Sequence, residues 1–234
     1  MSGWWGFDIV RIFDEFFPTT PKIGVVALCA WGVWFILSIV LHELAHGWTA
    51  IRCGDDTPEL TGHMTLDPIK HMGIVSLALF AFVGLGWGAM PVNPANFRRR
   101  HDDALVAAAG PAMNLLLAIL CVVCAIISNL VLKAEQLPYA LAIFRIGSVM
   151  NLTLCLLNLV PLPPLDGSRV LASFIRPMRE WVYSPQGALI GMIGFLIFGR
   201  LAGPYVIVVA VLVCVGAEQL VVTLLPGGHA TLSP

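Results

Sequence analysis

Residues 24–41 run for eighteen positions without a charged side chain, and long apolar segments recur at 104–132, 139–159, 187–198 and 205–225. A helix rises ~1.5 Å per residue, so about 20 apolar residues reach across the ~30 Å hydrocarbon core of a bilayer. In lipid no water is available to backbone N–H and C=O groups, and a helix satisfies them within the segment. The chain is 58% hydrophobic and 12% charged, with a mean hydropathy of +0.87. Soluble domains carry roughly 45–50% apolar and ~25% charged residues. These features predict an all-α polytopic membrane protein with about five transmembrane helices. A re-entrant or short sixth segment is expected at residues 72–90, which are apolar but contain Gly73, Gly84, Gly86 and Gly88.

The punctuation between the runs completes the outline. Trp4, Trp5, Phe7, Ile9, Val10, Ile12, Phe13, Phe16 and Phe17 alternate with charges up to Pro18, as in an amphipathic helix lying among lipid headgroups. Lys22 marks the membrane edge, and the first span is expected over about 23–51. Residues 53–71 are polar and turn-rich, hence a loop. Residues 91–97 hold two prolines and are expected to be extended, as are short elements nearby. Residues 160–167 are too rich in proline for a helix, and 168–175 can restart one. The expected organisation is one membrane-embedded domain over 1–234. Its parts are an interfacial segment 1–21, a core 22–175 and C-terminal helices 186–226, with no room for a large soluble domain.

The net charge of −1 and the lack of a basic tail give no support to nucleic-acid binding. Arg98, Arg99 and Arg100 form a basic run of the kind that marks a cytoplasmic membrane edge. Of the cysteines at 29, 53, 121, 124, 155 and 214, five lie in apolar runs. There a reduced Cys packs as a small hydrophobe. Cys121 and Cys124 have no second pair or histidine beside them, so they too read as packing residues.

Inside the first expected span, directly after its uncharged run, stands His42-Glu43-Leu44-Ala45-His46. Side chains at i and i+4 share a helix face, so the two histidines can ligate one metal ion. Glu43 is adjacent and can handle the proton of a water activated there. Two imidazoles and a carboxylate are costly in lipid and mark a functional site by default. A catalytic zinc takes three protein ligands and keeps one position open. The third could come from another histidine or an acid. Asp166 stands out because it follows an interrupted apolar run and precedes Gly167, although an N-cap role would also explain it. His63, His71, His101 and His229 lie in loops or tails and read as solvated.

The HELAH pentad in a membrane helix, with residues 158–167 (Asn-Leu-Val-Pro-Leu-Pro-Pro-Leu-Asp-Gly) downstream, resembles the site-2 protease family of intramembrane zinc metalloproteases. Gly110-Pro111-Ala112-Met113-Asn114 is similar to that family's Gly-x-x-x-Asn element. The stretches 62–71 and 86–94 are similar to segments of its small bacterial members, which lack PDZ and CBS domains. The resemblance covers about residues 30–175. It implies zinc held by His42, His46 and Asp166, Glu43 as general base, and Asn114 and Asn158 as substrate-contacting or site-shaping residues. It further implies a transmembrane protein substrate cut within the lipid bilayer, as in regulated intramembrane proteolysis. A downstream Glu ligand, as in membrane proteases of the CAAX-processing type, is disfavoured by the Leu-Asp-Gly motif. The alternative from another class is a zinc-binding membrane transporter or scaffold, for which an intact Glu43 would be superfluous.

Ligand geometry then constrains topology. If residues 72–90 crossed the membrane, three crossings would separate the histidines from Asp166 and set them toward opposite faces. A re-entrant segment leaves two crossings and one shared face, and is expected. That face would carry Arg52, Lys70, Arg98, Arg99, Arg100, Arg169, Arg176 and Arg179, against Arg11, Lys22, Lys133 and Arg200 on the other. The positive-inside rule then opens the site toward the cytoplasm of a multi-pass cell-membrane protein. The crossing alternative gives the same eight against four, so charge does not choose between them.

Overall fold

A computed structural model describes residues 21–99 and 101–225. The amphipathic helix expected before Pro18, and His229, lie outside the described residues. Among these residues the regular elements are helical: α1 (Pro21–Cys53), α2 (Thr57–Leu60), α3 (Pro68–Val83), α4 (Asp102–Val131), α5 (Leu137–Asn158), α6 (Asp166–Ala172), α7 (Arg176–Val182) and α8 (Pro185–Leu224). A 3-10 turn covers Pro94–Asn96. Four of the helices, α1, α4, α5 and α8, are long and apolar enough to cross a membrane. The protein is an all-α polytopic membrane protein, with four such helices among the described residues.

The difference from about five arises at the C-terminal end. Residues 187–198 and 205–225, expected as separate segments, fall, but for residue 225, within the single 40-residue helix α8, with Pro204 inside it. Gly199, Arg200, Gly203 and Pro204 look like a break in sequence. A proline withdraws only one N–H from the helical ladder, and the flanking turns here carry the helix past it. At ~1.5 Å per residue α8 is about 60 Å long, roughly twice the hydrocarbon thickness of a bilayer.

Residues 72–90 form a hairpin rather than a span. Asp67 caps α3 by accepting the Ile69 N–H, Gly73 kinks the helix with φ 69°, and Gly84 ends it in the left-handed region at φ 78°. The chain then turns back along the same helix. The Ser76 hydroxyl accepts the Trp87 N–H at 2.8 Å and donates to the Trp87 carbonyl at 2.7 Å. The Ala89 N–H reaches the His71 carbonyl at 2.9 Å. Residue 89 is thereby returned to the level of residue 71, and both ends of the segment lie together. The return leg has neither helix nor strand, and within residues 91–97, expected to be extended, Pro94–Asn96 instead make a 3-10 turn. Phe80 stacks on Phe35 of α1, with ring centroids 4.0 Å apart.

The described residues pack into two compact units, one of residues 21–34, 116–153 and 199–225 and the other of residues 35–99, 101–115 and 154–198. In the first, Ile23, Ala27 and Ala30 of α1 form a small-residue core with Ala142 and Ile146 of α5. Trp34 donates its indole N–H to the Ile143 carbonyl. Three helices of this unit also meet at a charged group. Arg145 of α5 makes a two-pronged ion pair with Glu218 of α8, at 2.7 and 2.8 Å, and Asn129 of α4 donates to the same carboxylate at 2.9 Å. Glu218 is almost fully buried.

In the second unit, Asp55 is a hub just beyond α1. Its carboxylate accepts from the Thr57 N–H and hydroxyl, the Asn93 N–H and the Asn96 amide. Those bonds pin residues 93–96 to the end of α1, while Val92 and Phe97 pack on Ala50, Cys53 and Val106. Burial works against the Asp55 anion, but the bonds from Thr57, Asn93 and Asn96 outweigh it, so its pKa is lowered.

Removing one partner of a buried ion pair costs about 3–5 kcal/mol. Glu218→Ala should lower the unfolding free energy in detergent micelles by about that much, and a loss within error would exclude a structural role for the pair. The Asp55 contribution is complete above the ordinary Asp pKa of ~3.9 and drains as pH falls through the lowered folded-state value. Asp55→Ala should therefore destabilise the protein at neutral pH and lose part of the acid dependence of its melting temperature. An unchanged acid limb would refute this.

Candidate active site

All the residues of the site belong to the second unit. α1 is continuous through the HELAH pentad, so His42 and His46 project from one face one turn apart. Both are buried, as are Glu43 and Asp166. Asp166 opens α6, but Leu165 occupies the N-cap position and makes no side-chain cap bond. The Asp166 carboxylate is directed to the histidines instead. Its Oδ2 lies 3.0 Å from His42 Nε2 and 3.3 Å from His46 Nε2. The two Nε2 atoms are 3.0 Å apart.

This triangle can be tested against a metal. Ligands at ~2.05 Å from a tetrahedral zinc lie about 3.3 Å from one another. The three separations here, 3.0, 3.0 and 3.3 Å, come close to that figure. Two imidazole nitrogens and one carboxylate oxygen are also a donor set that zinc accepts in catalytic sites. Burial works against the Asp166 anion, but His46 and His42 beside it outweigh burial, and its carboxyl is held below the usual carboxylate range.

The other ring nitrogen of each histidine is engaged by α4. His46 Nδ1 lies 2.7 Å from the Val106 carbonyl, which requires Nδ1 to carry the proton and leaves Nε2 free to ligate. His42 Nδ1 lies 3.1 Å from Asn114 Oδ1, which sets the same tautomer. Between these two contacts Gly110 presents bare backbone to the rings. A Cβ there would overlap Nε2 of both His42 and His46. Val106, Gly110 and Asn114 are four apart and share one face of α4. From the hairpin, Gly88 also comes close to Glu43, and a Cβ at that position would sit 2.7 Å from the carboxylate Oε1.

The structure thus groups His42, His46 and Asp166, with Glu43 beside them on α1. Asn114 is fully buried behind His42. Asn158 is half-buried and donates its amide to the Leu154 carbonyl on its own helix. His63 bonds within its own turn and His101 stacks on Phe174. His71, read as solvated, is buried and contacts the Thr65 carbonyl. It belongs to α3 rather than to a loop, which is why it leaves solvent. The Val106 carbonyl has no side-chain signature by which sequence could mark it. Gly110 belongs to a quoted motif, but only the approach of α1 shows what its lack of a side chain is for.

Comparison with known proteins agrees with this chemistry. The profile of Peptidase family M50 matches residues 31–142. YwhC of Bacillus subtilis, which bears the provisional name of a zinc metalloprotease, is 35% identical over 178 residues, 74% of this chain and 81% of its own. Rip2 of Mycobacterium tuberculosis strain H37Rv, named in the same way, is 31% identical over 77% of this chain and 70% of its own. Zinc metalloprotease MJ0392 of Methanocaldococcus jannaschii is 26% identical over 81% of this chain and 49% of its own. No solved structure matches the chain. A buried His-His-Asp group that suits zinc, carried on a chain of this likeness, leads to one conclusion: the chain belongs to peptidase family M50 and is a zinc metalloprotease.

Proposed function

We propose that this protease is an intramembrane endopeptidase that hydrolyses peptide bonds in or near the transmembrane helices of membrane-protein substrates, as in regulated intramembrane proteolysis. The observation that carries the reading is the place of His42 and His46, two members of the His-His-Asp group, on α1, a helix apolar enough to cross a membrane. At ~1.5 Å per residue, His46 and His42 lie about 9 and 15 Å along the helix from Arg52. A site at that depth serves a peptide bond at that depth.

His42, His46 and Asp166 would hold the zinc, which supplies a Lewis acid that polarises the scissile carbonyl and acidifies water. Glu43 would take the proton of the attacking water at its carboxylate and return it to the leaving amine nitrogen. Asn114, buried behind His42, suits an orienting role better than a substrate contact. Asn158 is kept as a candidate substrate-contacting residue at the end of α5. A helical substrate hides its carbonyls in its own hydrogen bonds and must unwind locally. Residues 92–97, pinned by Asp55 and outside any α-helix although Pro94–Asn96 make a 3-10 turn, offer a fixed segment with which an unwound strand could pair.

The hairpin at 72–90 keeps Arg52, Lys70 and Arg98 on the same face as Arg169, Arg176 and Arg179. By the positive-inside rule the site would open toward the cytoplasm of the cell membrane. Water would reach it by a polar channel from that face.

Glu43→Gln should retain zinc and lose turnover by about 10²–10⁴-fold, whereas Asp166→Ala should lose zinc. Gly110→Ala should also weaken zinc binding, because its Cβ overlaps both imidazoles. A Glu43→Gln protein that still cleaves at the wild-type rate would overturn the mechanism. Val92→Pro and Phe97→Ala should slow cleavage of a membrane-embedded substrate more than that of an unstructured soluble peptide. Equal effects on both would remove strand pairing from the account.

A further inference from the structure

Asp166 is carried by α6, a helix of seven residues without a side-chain cap, reached through a proline-rich turn. A helix this short does not hold its own position, since isolated helices below about 12–15 residues are marginal. Something else must keep the Asp166 carboxylate beside the histidines. A contact suited to this begins at Arg169, one turn further along α6. Its guanidinium donates to Asp103 Oδ1 at 2.9 Å, and the Tyr183 hydroxyl just beyond α7 donates to Asp103 Oδ2 at 2.6 Å. Both oxygens of one buried carboxylate are thus occupied, one by a donor on α6 itself and the other by a donor just beyond α7.

Asp103 also stands one turn before Val106, whose carbonyl engages His46. One side chain at the start of α4 therefore ties the helix that carries Asp166 to the helix that orients the histidines. We propose that Asp103, Arg169 and Tyr183 are positioning residues that set the third metal ligand against His42 and His46. The proposal rests on the reading of Asp166 as that ligand. None of the three touches the His-His-Asp group, so their effect on the metal passes through the placement of α6.

The experiment measures zinc affinity by chelator competition in detergent, together with the visible absorption of the cobalt-substituted protein, which reports ligand geometry. Removing a partner that orients a ligand typically weakens metal binding 10–100-fold. Asp103→Asn and Arg169→Met should weaken zinc by about tenfold or more and alter the cobalt spectrum. Arg169→Lys should recover part of the loss, and Tyr183→Phe, which leaves the ion pair intact, should show a smaller loss in the same direction. Glu218→Ala, in the other unit, supplies a destabilised protein with an untouched clamp. It should melt earlier yet bind zinc as the wild type does.

If the clamp variants bind zinc normally while Asp166→Ala does not, the positioning role is refuted and the ligand assignment stands. If Asp166→Ala itself binds zinc normally, the ligand assignment is the part that fails. If Glu218→Ala loses affinity in proportion to its stability, as the clamp variants do, the effect is general loosening and the proposal is overturned. Should Asp103→Asn fail to fold, Tyr183→Phe and Arg169→Lys carry the same comparison.

Discussion

The close approach of α1 and α4 at Gly110 is the contact on which the rest of the site depends. Two imidazoles one turn apart on α1 need space in front of them for a metal and polar partners behind them. A single face of α4 meets both needs. Its backbone is bare at Gly110, an acceptor carbonyl lies one turn before at Val106, and an amide oxygen lies one turn after at Asn114. The four-residue repeat of α4 matches the four-residue spacing of the histidines, so two helical periodicities meet in register. Asp166 then needs only to be delivered to a pair of nitrogens already aimed.

The other elements of this unit serve that delivery or define what lies beside it. The hairpin lays its return leg against Glu43, and the turn after α5 brings Asp166 back to the level of the histidines. Polar groups close each of these excursions: Ser76 across the hairpin, Asp55 at the end of α1, and Asp103 between α4 and α6. In an apolar setting an unmatched polar group costs more than it does near water. Each bond therefore stabilises its loop and penalises the arrangements that would break it.

Much of this was legible in the residues themselves. Long uncharged runs show where the chain enters lipid, and the HELAH spacing shows a shared helix face. The glycines of 72–90 left that segment open between a span and a hairpin, and the need for Asp166 to meet the histidines favoured the hairpin. What sequence could not show is of two kinds. Gly199 to Pro204 carry every mark of a break, yet α8 runs through them, because a proline disrupts only one bond of the ladder when the turns around it hold. The second kind is long-range pairing. Asp103 and Arg169 lie 66 residues apart, Arg145 and Glu218 lie 73 apart, and no local period links either pair. His71 likewise reads as a loop residue until α3 is known to begin at Pro68.

The Ser76 contact has a consequence for which residues position 76 can hold. One small oxygen receives the N–H of Trp87 and donates to the carbonyl of the same residue, satisfying both main-chain groups of a residue outside any helix or strand. Of the ordinary side chains, Ser and Thr offer a compact atom that is at once a good donor and a good acceptor. Alanine would fill the space and leave two main-chain groups unmatched, and an amide would satisfy them only by pushing the return leg outward. The hairpin beside Glu43 has therefore reduced the chemical vocabulary of one remote position to a hydroxyl.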